Sequence, residues 1–99
     1  METEMKHVNE RLVVKPAGRL DTVTSEELRA ALEEAWDGGC DLDMDFTDVE
    51  YISSAGMRLL VTLQKKAMAG SHKMVIRNIN NVVNEVFRVS GFLKALTIV

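Results

Sequence analysis

The run Asp41-Leu42-Asp43-Met44-Asp45-Phe46 alternates without interruption between an aspartate and a large apolar residue. A period of two belongs to an extended strand, in which successive side chains point to opposite faces of a sheet. Leu42, Met44 and Phe46 therefore share one face, and the three aspartates share the other. A strand buried on both faces reads as a continuous apolar run instead. The sheet that contains this strand is thus covered by helices on one side and wet on the other, or the strand lies at an edge. Met74-Val75-Ile76-Arg77 is mixed enough to fit either arrangement.

The flanking segments supply the rest of an α/β chain. Residues 4–8 and Leu12 to Pro16, separated by the turn-like Asn9-Glu10, read as an opening hairpin, with Pro16 suited to a strand end or edge. Gly18 allows a turn toward Arg19-Leu20-Asp21. Thr24 to Glu27 has the form of a capping box, Val23 and Leu28 of a hydrophobic staple, and Leu28, Ala31, Leu32, Ala35 and Trp36 recur at helical spacing until Asp37-Gly38-Gly39. After a short acidic loop, a second helix begins near Ser54. It carries Met57, Leu59, Leu60, Val61, Leu63, Ala67 and Met68 on an apolar arc that also takes in Gln64, with Arg58, Thr62, Lys65 and Lys66 opposite, and it stops at Gly70. Residues 73–79 form a strand. Asn80 or Asn81 caps a third helix with Val82, Val83, Val86, Phe87 and Val89 on its apolar side, Ser90-Gly91 ends it, and Ala95 to Val99 is a closing strand. The order β-β-α-β-α-β-α-β predicts a single mixed, mostly parallel sheet with helices packed mainly on one face, in one domain over residues 1–99.

Composition narrows the function classes. A net charge of -3 argues against a nucleic-acid surface, and Lys65, Lys66, Lys73 and Arg58 form at most a small basic patch. No apolar run approaches the roughly 20 residues of a membrane span, and Met1-Glu2-Thr3-Glu4 is acidic where a signal peptide is basic, so the sequence points to a cytoplasmic protein without a membrane partner. Cys40 is single, and neither His7 nor His72 has a partner at ligand spacing, so no metal and no cofactor is implied.

Four constellations bear on chemistry. Asp41, Asp43 and Asp45 suggest a cation ladder, but a calcium loop starting at Asp41 needs glycine where Phe46 stands and glutamate where Ile52 stands. Asp43-Met44-Asp45-Phe46-Thr47 has the Asp-x-Asp-x-Thr form of haloacid-dehalogenase-type phosphotransferases, which place it on a buried apolar strand; here the strand is half polar, and solvent-facing carboxylates are the expectation. Ser53 and Ser54 lack the Gly-x-Ser-x-Gly context of a hydrolase and a placed histidine, and no catalytic residue is assigned. Gly38-Gly39 precedes a strand rather than a helix, which suits a helix stop and not a phosphate loop. The serines themselves stand at a helix start, where unpaired N–H groups and the helix dipole favour a negative charge. A plain N-cap and a phosphate site are both compatible with that placement.

Tyr51-Ile52-Ser53-Ser54-Ala55-Gly56-Met57, preceded by Asp45-Phe46-Thr47 and Val49, resembles the phosphorylation loop of STAS-domain anti-sigma factor antagonists. Gly18-Arg19-Leu20-Asp21 is similar to that family's Gly-x-Leu-Asp turn, and Asn80 to Phe92 is similar to its third helix and Ser-Gly-Phe exit. The resemblance spans essentially the whole chain. It implies a non-enzymatic bacterial partner-switching protein, monomeric when free. Its partners would be an anti-sigma factor that is also a serine kinase and a PP2C-type phosphatase that reverses the modification. By position in the motif the phosphoacceptor is Ser54, and the partner surface comprises Asp21, Ser53, Ser54, Ala55, Gly56, Met57 and Arg58, with Gly56 permitting close approach and Met57 adapting to either partner. Two departures are visible: Ser53 stands where well-known members have aspartate, and Ala55 where they have a second Ser or Thr. This variant resembles looser members of the family, some of which switch partners in pathways that do not end in a sigma factor; the runner-up reading is a STAS interaction module in a transport or stressosome-like assembly whose serines are never phosphorylated, and a small α/β enzyme or nucleotide binder is the third.

Overall fold

The structure is a computed structural model that describes residues 1–99. Its sheet is built on β2 (Arg11–Leu20). β1 (Thr3–Val8) lies antiparallel to it as the other arm of a hairpin. Asn9 and Glu10 join the two strands at φ of 49° and 66°, the left-handed pair that a two-residue turn needs to match the strands' twist. Along its other edge β2 carries two segments in parallel: β3 (Asp41–Asp45) opposite Arg11 to Val14, then β4 (Asp48–Ile52) opposite Ala17 to Leu20. β5 (Met74–Arg77) adds in parallel on the far side of β3.

β4 corrects the sequence reading, which placed an acidic loop there. It continues the line of β3 after a break at Phe46-Thr47, and a register shift between Gly18 and Arg19 absorbs the slack. Gly18 takes φ of 101° at that shift, a value open to glycine. The break also accounts for Pro16, which lies inside β2 and not at its end. The Ala17 N–H donates to the Glu2 carbonyl across the hairpin at 2.9 Å. Backbone groups alternate sides along a strand, so the nitrogen of Pro16 faces the gap between β3 and β4, where the ladder asks for no donor.

Three helices complete the chain: α1 (Thr22–Ala35), α2 (Ser54–Ala69) and α3 (Asn81–Ser90). None is long and apolar enough to cross a membrane. The closing strand is reduced: Phe92–Lys94 forms a short 3-10 turn, Leu96 is buried, and only Ile98 pairs, as an isolated parallel bridge to Ile76. Leu12, Val14, Leu42, Met44, Met74 and Ile76 on one sheet face join Leu28, Leu32, Met57, Leu60 and Phe87 of the helices in a single core. The fold class is therefore the expected one, a mixed and mostly parallel sheet covered on one face. Helix amphipathicity is narrower than the sequence pattern suggested. Val82, Val89 and Met68 are 53%, 72% and 65% exposed, and Val23, 70% exposed, forms no staple because α1 begins before it.

The opposite sheet face is polar, yet Asp43 on it is only 3% exposed, which corrects the expectation of a solvated carboxylate. Its strand has a neighbour on each side, and each supplies an arginine: Arg77 Nε at 2.7 Å from β5 and Arg11 Nε at 3.7 Å from β2. A carboxylate tolerates burial when it is paired in this way. Asp45 turns the chain from β3 toward β4. It accepts from the Thr47 N–H (3.0 Å), the Thr47 hydroxyl (2.6 Å) and the Asn78 amide (3.0 Å). Burial pushes this carboxyl up, but those three donors and nearby Arg77 outweigh it and hold it at about 2, below the ordinary 3.8. A depressed value means that the ionised group stabilises the fold fully above pH 3.8 and loses that contribution as pH falls through about 2. Asp45→Asn is therefore expected to cost about 2–3 kcal/mol at neutral pH, from the 1.4 kcal/mol carried by each unit of the fall from 3.8 to about 2. Circular-dichroism melts should show the gap to wild type closing as the buffer is taken from pH 3.8 toward 2.

Candidate functional site

β2 and β4 end in step. Leu20 is opposite Ile52, and the Ser53 N–H donates to the Leu20 carbonyl at 2.8 Å. The next residue on each strand, Asp21 and Ser53, stays extended and caps a helix. The chain thus sets two helix N-termini side by side at one edge of the sheet. The third is drawn in by Asn80, whose Oδ1 accepts the Val83 N–H at 2.7 Å while its amide donates to the carbonyls of Val49 (3.0 Å) and Glu50 (3.3 Å) on β4.

At α1 the cap is Asp21, not Thr24. The Asp21 carboxylate accepts the Thr24 N–H and the Thr24 hydroxyl accepts the Asp21 N–H, both at 2.9 Å. The capping box is real but lies three residues earlier than the Thr24–Glu27 reading, because aspartate caps as well as threonine and leaves Thr24 free to answer it. The Thr24 N–H and then its hydroxyl hold the Asp21 carboxyl below its ordinary range.

At α2 the two serines divide their roles. Ser53 is the N-cap, half-buried, with Oγ accepting the Gly56 N–H at 3.4 Å. Ser54 is the first helical residue; it is exposed and its hydroxyl is engaged by no other group of the chain. No acidic residue occupies the first turn. Ala55 is half-buried and Arg58 is exposed.

Gly56 and Met57 correct the expected partner surface, since both are buried. A Cβ on Gly56 would lie 2.7 Å from Ile52 Cγ1 and 3.2 Å from Leu20 Cβ, so this glycine lets α2 settle on the ends of β4 and β2. Met57 has no exposed surface and belongs to the core. A residue pair that the sequence reading missed takes their place at the surface. Arg19 and Tyr51 are opposite each other on β2 and β4, with the guanidinium 4.5 Å from the ring centroid. Each stands two residues before a cap, so the strand period carries them to the side on which Asp21 and Ser53 emerge.

The three strand aspartates do not converge on a cation. Asp41 accepts the Lys73 N–H at 3.0 Å and lies 3.3 Å from His72 Nδ1, Asp43 is held by arginines, and Asp45 by Thr47 and Asn78.

The family model for STAS domains matches residues 2–99. The chain belongs to the STAS domain family. BtrV of Bordetella bronchiseptica, described as a candidate anti-sigma factor antagonist, is 30% identical over 94 residues, which cover 94% of this chain and 81% of that one. Among solved structures, a candidate anti-sigma factor antagonist from Thermotoga maritima superposes with a TM-score of 0.88 at 15% identity, covering 97% of this chain and 84% of its own. The anti-sigma factor antagonist SpoIIAA in its unphosphorylated form gives 0.81 at 21% identity, covering 99% and 88%. SpoIIAA of Bacillus in its phosphorylated form gives 0.73 at 21% identity, covering 99% and 91%. At these identities the structural likenesses establish the fold.

Gly56→Ala should be destabilising by about 1–2 kcal/mol, as overpacking against Ile52 and Leu20 exceeds the gain in helix propensity. Ser53→Ala should cost about 1 kcal/mol through the lost cap. Urea unfolding of the two variants measures both; a Gly56→Ala protein as stable as wild type would contradict the packing described.

Proposed function

We propose that this chain is an anti-sigma factor antagonist that switches partners through phosphorylation of Ser54. The observation that carries this reading is the division between the serines: Ser53 Oγ is engaged as a cap, whereas Ser54 presents a free, exposed hydroxyl at the start of α2. The relationship to BtrV and the solved forms of SpoIIAA support it. The partners are an anti-sigma factor with serine kinase activity and a PP2C-type phosphatase, all in the cytoplasm, and the chain acts by binding and not by catalysis. The kinase passes the γ-phosphoryl group of ATP to Ser54 Oγ: the new P–O bond forms as the β–γ bridge breaks, ADP leaves, and the hydroxyl proton is lost to solvent or to a base of the kinase.

The surface that meets the partner consists of Asp21, Ser53, Ser54, the exposed part of Ala55, Arg58 and the Arg19–Tyr51 pair. Gly56 and Met57 shape it from beneath. A phosphate on Ser54 adds about -1.5 to -2 charges. The start of α2 tolerates that charge, because the N–H groups of Ser54 and Ala55 have no partner within the helix and its dipole is positive there. A partner surface fitted to a neutral hydroxyl does not, since a charge buried without a counter-charge is costly. The switch works by blocking an interface and needs no refolding.

Incubation with the cognate kinase and ATP, followed by mass spectrometry, should place one phosphate on Ser54 and none on the Ser54→Ala variant. Ser54→Asp should weaken binding to the anti-sigma factor at least tenfold, about 1.4 kcal/mol. An unmodified Ser54 together with wild-type binding by Ser54→Asp would overturn the proposal in favour of an unphosphorylated interaction module.

A further inference from the structure

We infer that Arg58 is the intramolecular counter-ion of the phosphate on Ser54; the inference rests on Ser54 being the phosphoacceptor. The chain has six arginines. Arg11 and Arg77 are paired with Asp43, Arg29 with Glu26 and Glu33, and Arg88 with Glu85. Arg19 lies over Tyr51. Arg58 alone has neither a carboxylate nor a ring, although it is exposed on a helix; beyond the helix's own backbone ladder, its one hydrogen bond is the Thr62 hydroxyl donating to its backbone carbonyl at 3.0 Å, and its guanidinium has no partner.

Its position gives the isolation a purpose. Ser54 is the first residue of α2 and Arg58 is four residues on, so the two share a helix face with Cβ atoms about 6 Å apart. Helical side chains lean toward the N-terminus, which carries the guanidinium of Arg58 back over the turn that begins with Ser54. In the unmodified chain a cation near the positive end of a helix whose first turn has no acidic residue is electrostatically unanswered. A phosphate supplies that answer, and its oxygens match the planar N–H fork of an arginine better than a lysine's point charge. The other charged groups at this edge of the sheet are Arg19 on β2, Asp21 at the start of α1 and Glu50 on β4; they form a background that does not change when Arg58 is replaced. Phosphorylation thereby acts twice on the surface, adding an anion and withdrawing its one unengaged arginine from the partner.

The test uses the full chain with phosphoserine installed at position 54 during synthesis, so that no kinase is required. Phosphorus NMR titrations are run on this protein, on Arg58→Gln and on Arg58→Lys, at low salt and at high salt. The second ionisation of the phosphate should fall lower with Arg58 than with glutamine by about 0.2–0.4 pH unit, the shift expected from an i, i+4 ion pair, with lysine in between and the differences shrinking as salt screens the pair. In the wild-type protein the Arg58 Nε–H resonance should move with the same midpoint. Coincident curves for arginine and glutamine at low salt, or an Arg58 Nε–H signal indifferent to the phosphate, would overturn the inference; the second measurement decides the matter even if the glutamine variant misfolds. A kinase that ignores Ser54 would instead overturn the assignment of the phosphoacceptor and leave these titrations unaffected.

Discussion

The hydrogen bond from the Ser53 N–H to the Leu20 carbonyl, 2.8 Å long, fixes where two helices begin. It is the last rung between β2 and β4, and everything at the functional edge is placed relative to it. Asp21 and Ser53 emerge side by side because Leu20 and Ile52 are level. The same two residues form the floor on which α2 rests, and only a glycine at position 56 fits above them. A change at Leu20 or Ile52 would therefore reach the surface serine without touching it, through the height and tilt of the helix that carries it. Interiors this densely packed transmit displacement and do not absorb it.

The fold was legible wherever one residue's pattern did not depend on a distant one. The alternation of Asp41 to Phe46 identified a sheet with one wet face, and the spacing of α1, α2 and α3 identified three helices, because burial on one side imposes a period that local sequence displays. β4 was hidden for a physical reason. Val49 and Ile52 are its buried residues, three positions apart, since the shift beside Gly18 breaks the strand period and acidic residues occupy the exposed positions. Pro16 misled in a related way. A proline within a central strand is admissible only where a neighbouring strand is interrupted, and the interruption lies some thirty residues further along the chain, at Phe46-Thr47. Asp43 became buried through arginines on two other strands, which no local pattern records.

The site was legible as a string and less so as a surface. The motif drew attention to Ser53 and Ser54 together, and hydrogen bonding separated the cap from the free hydroxyl. The motif puts Gly56 and Met57 on the partner surface, but α2 begins directly over the strand ends and its first turn faces inward there. Arg19 and Tyr51 went unnoticed because they are thirty-two residues apart, and only the pairing of β2 with β4 stacks them. A search for strand residues two positions ahead of each cap would have found both.

The aspartates of β3 have a further consequence for accuracy of assembly. A strand that slides by one residue turns every side chain to the opposite face. For many strands such a slip exchanges apolar groups for tolerable polar ones, but here it would thrust Asp41, Asp43 and Asp45 into the apolar layer and strand Arg11 and Arg77 without partners. The penalty falls on the segment that immediately precedes β4 and the serine-bearing helix. The carboxylates thus act as a proofreading device: they reject the misaligned sheets in which the start of α2, with Ser54, would be displaced along the edge.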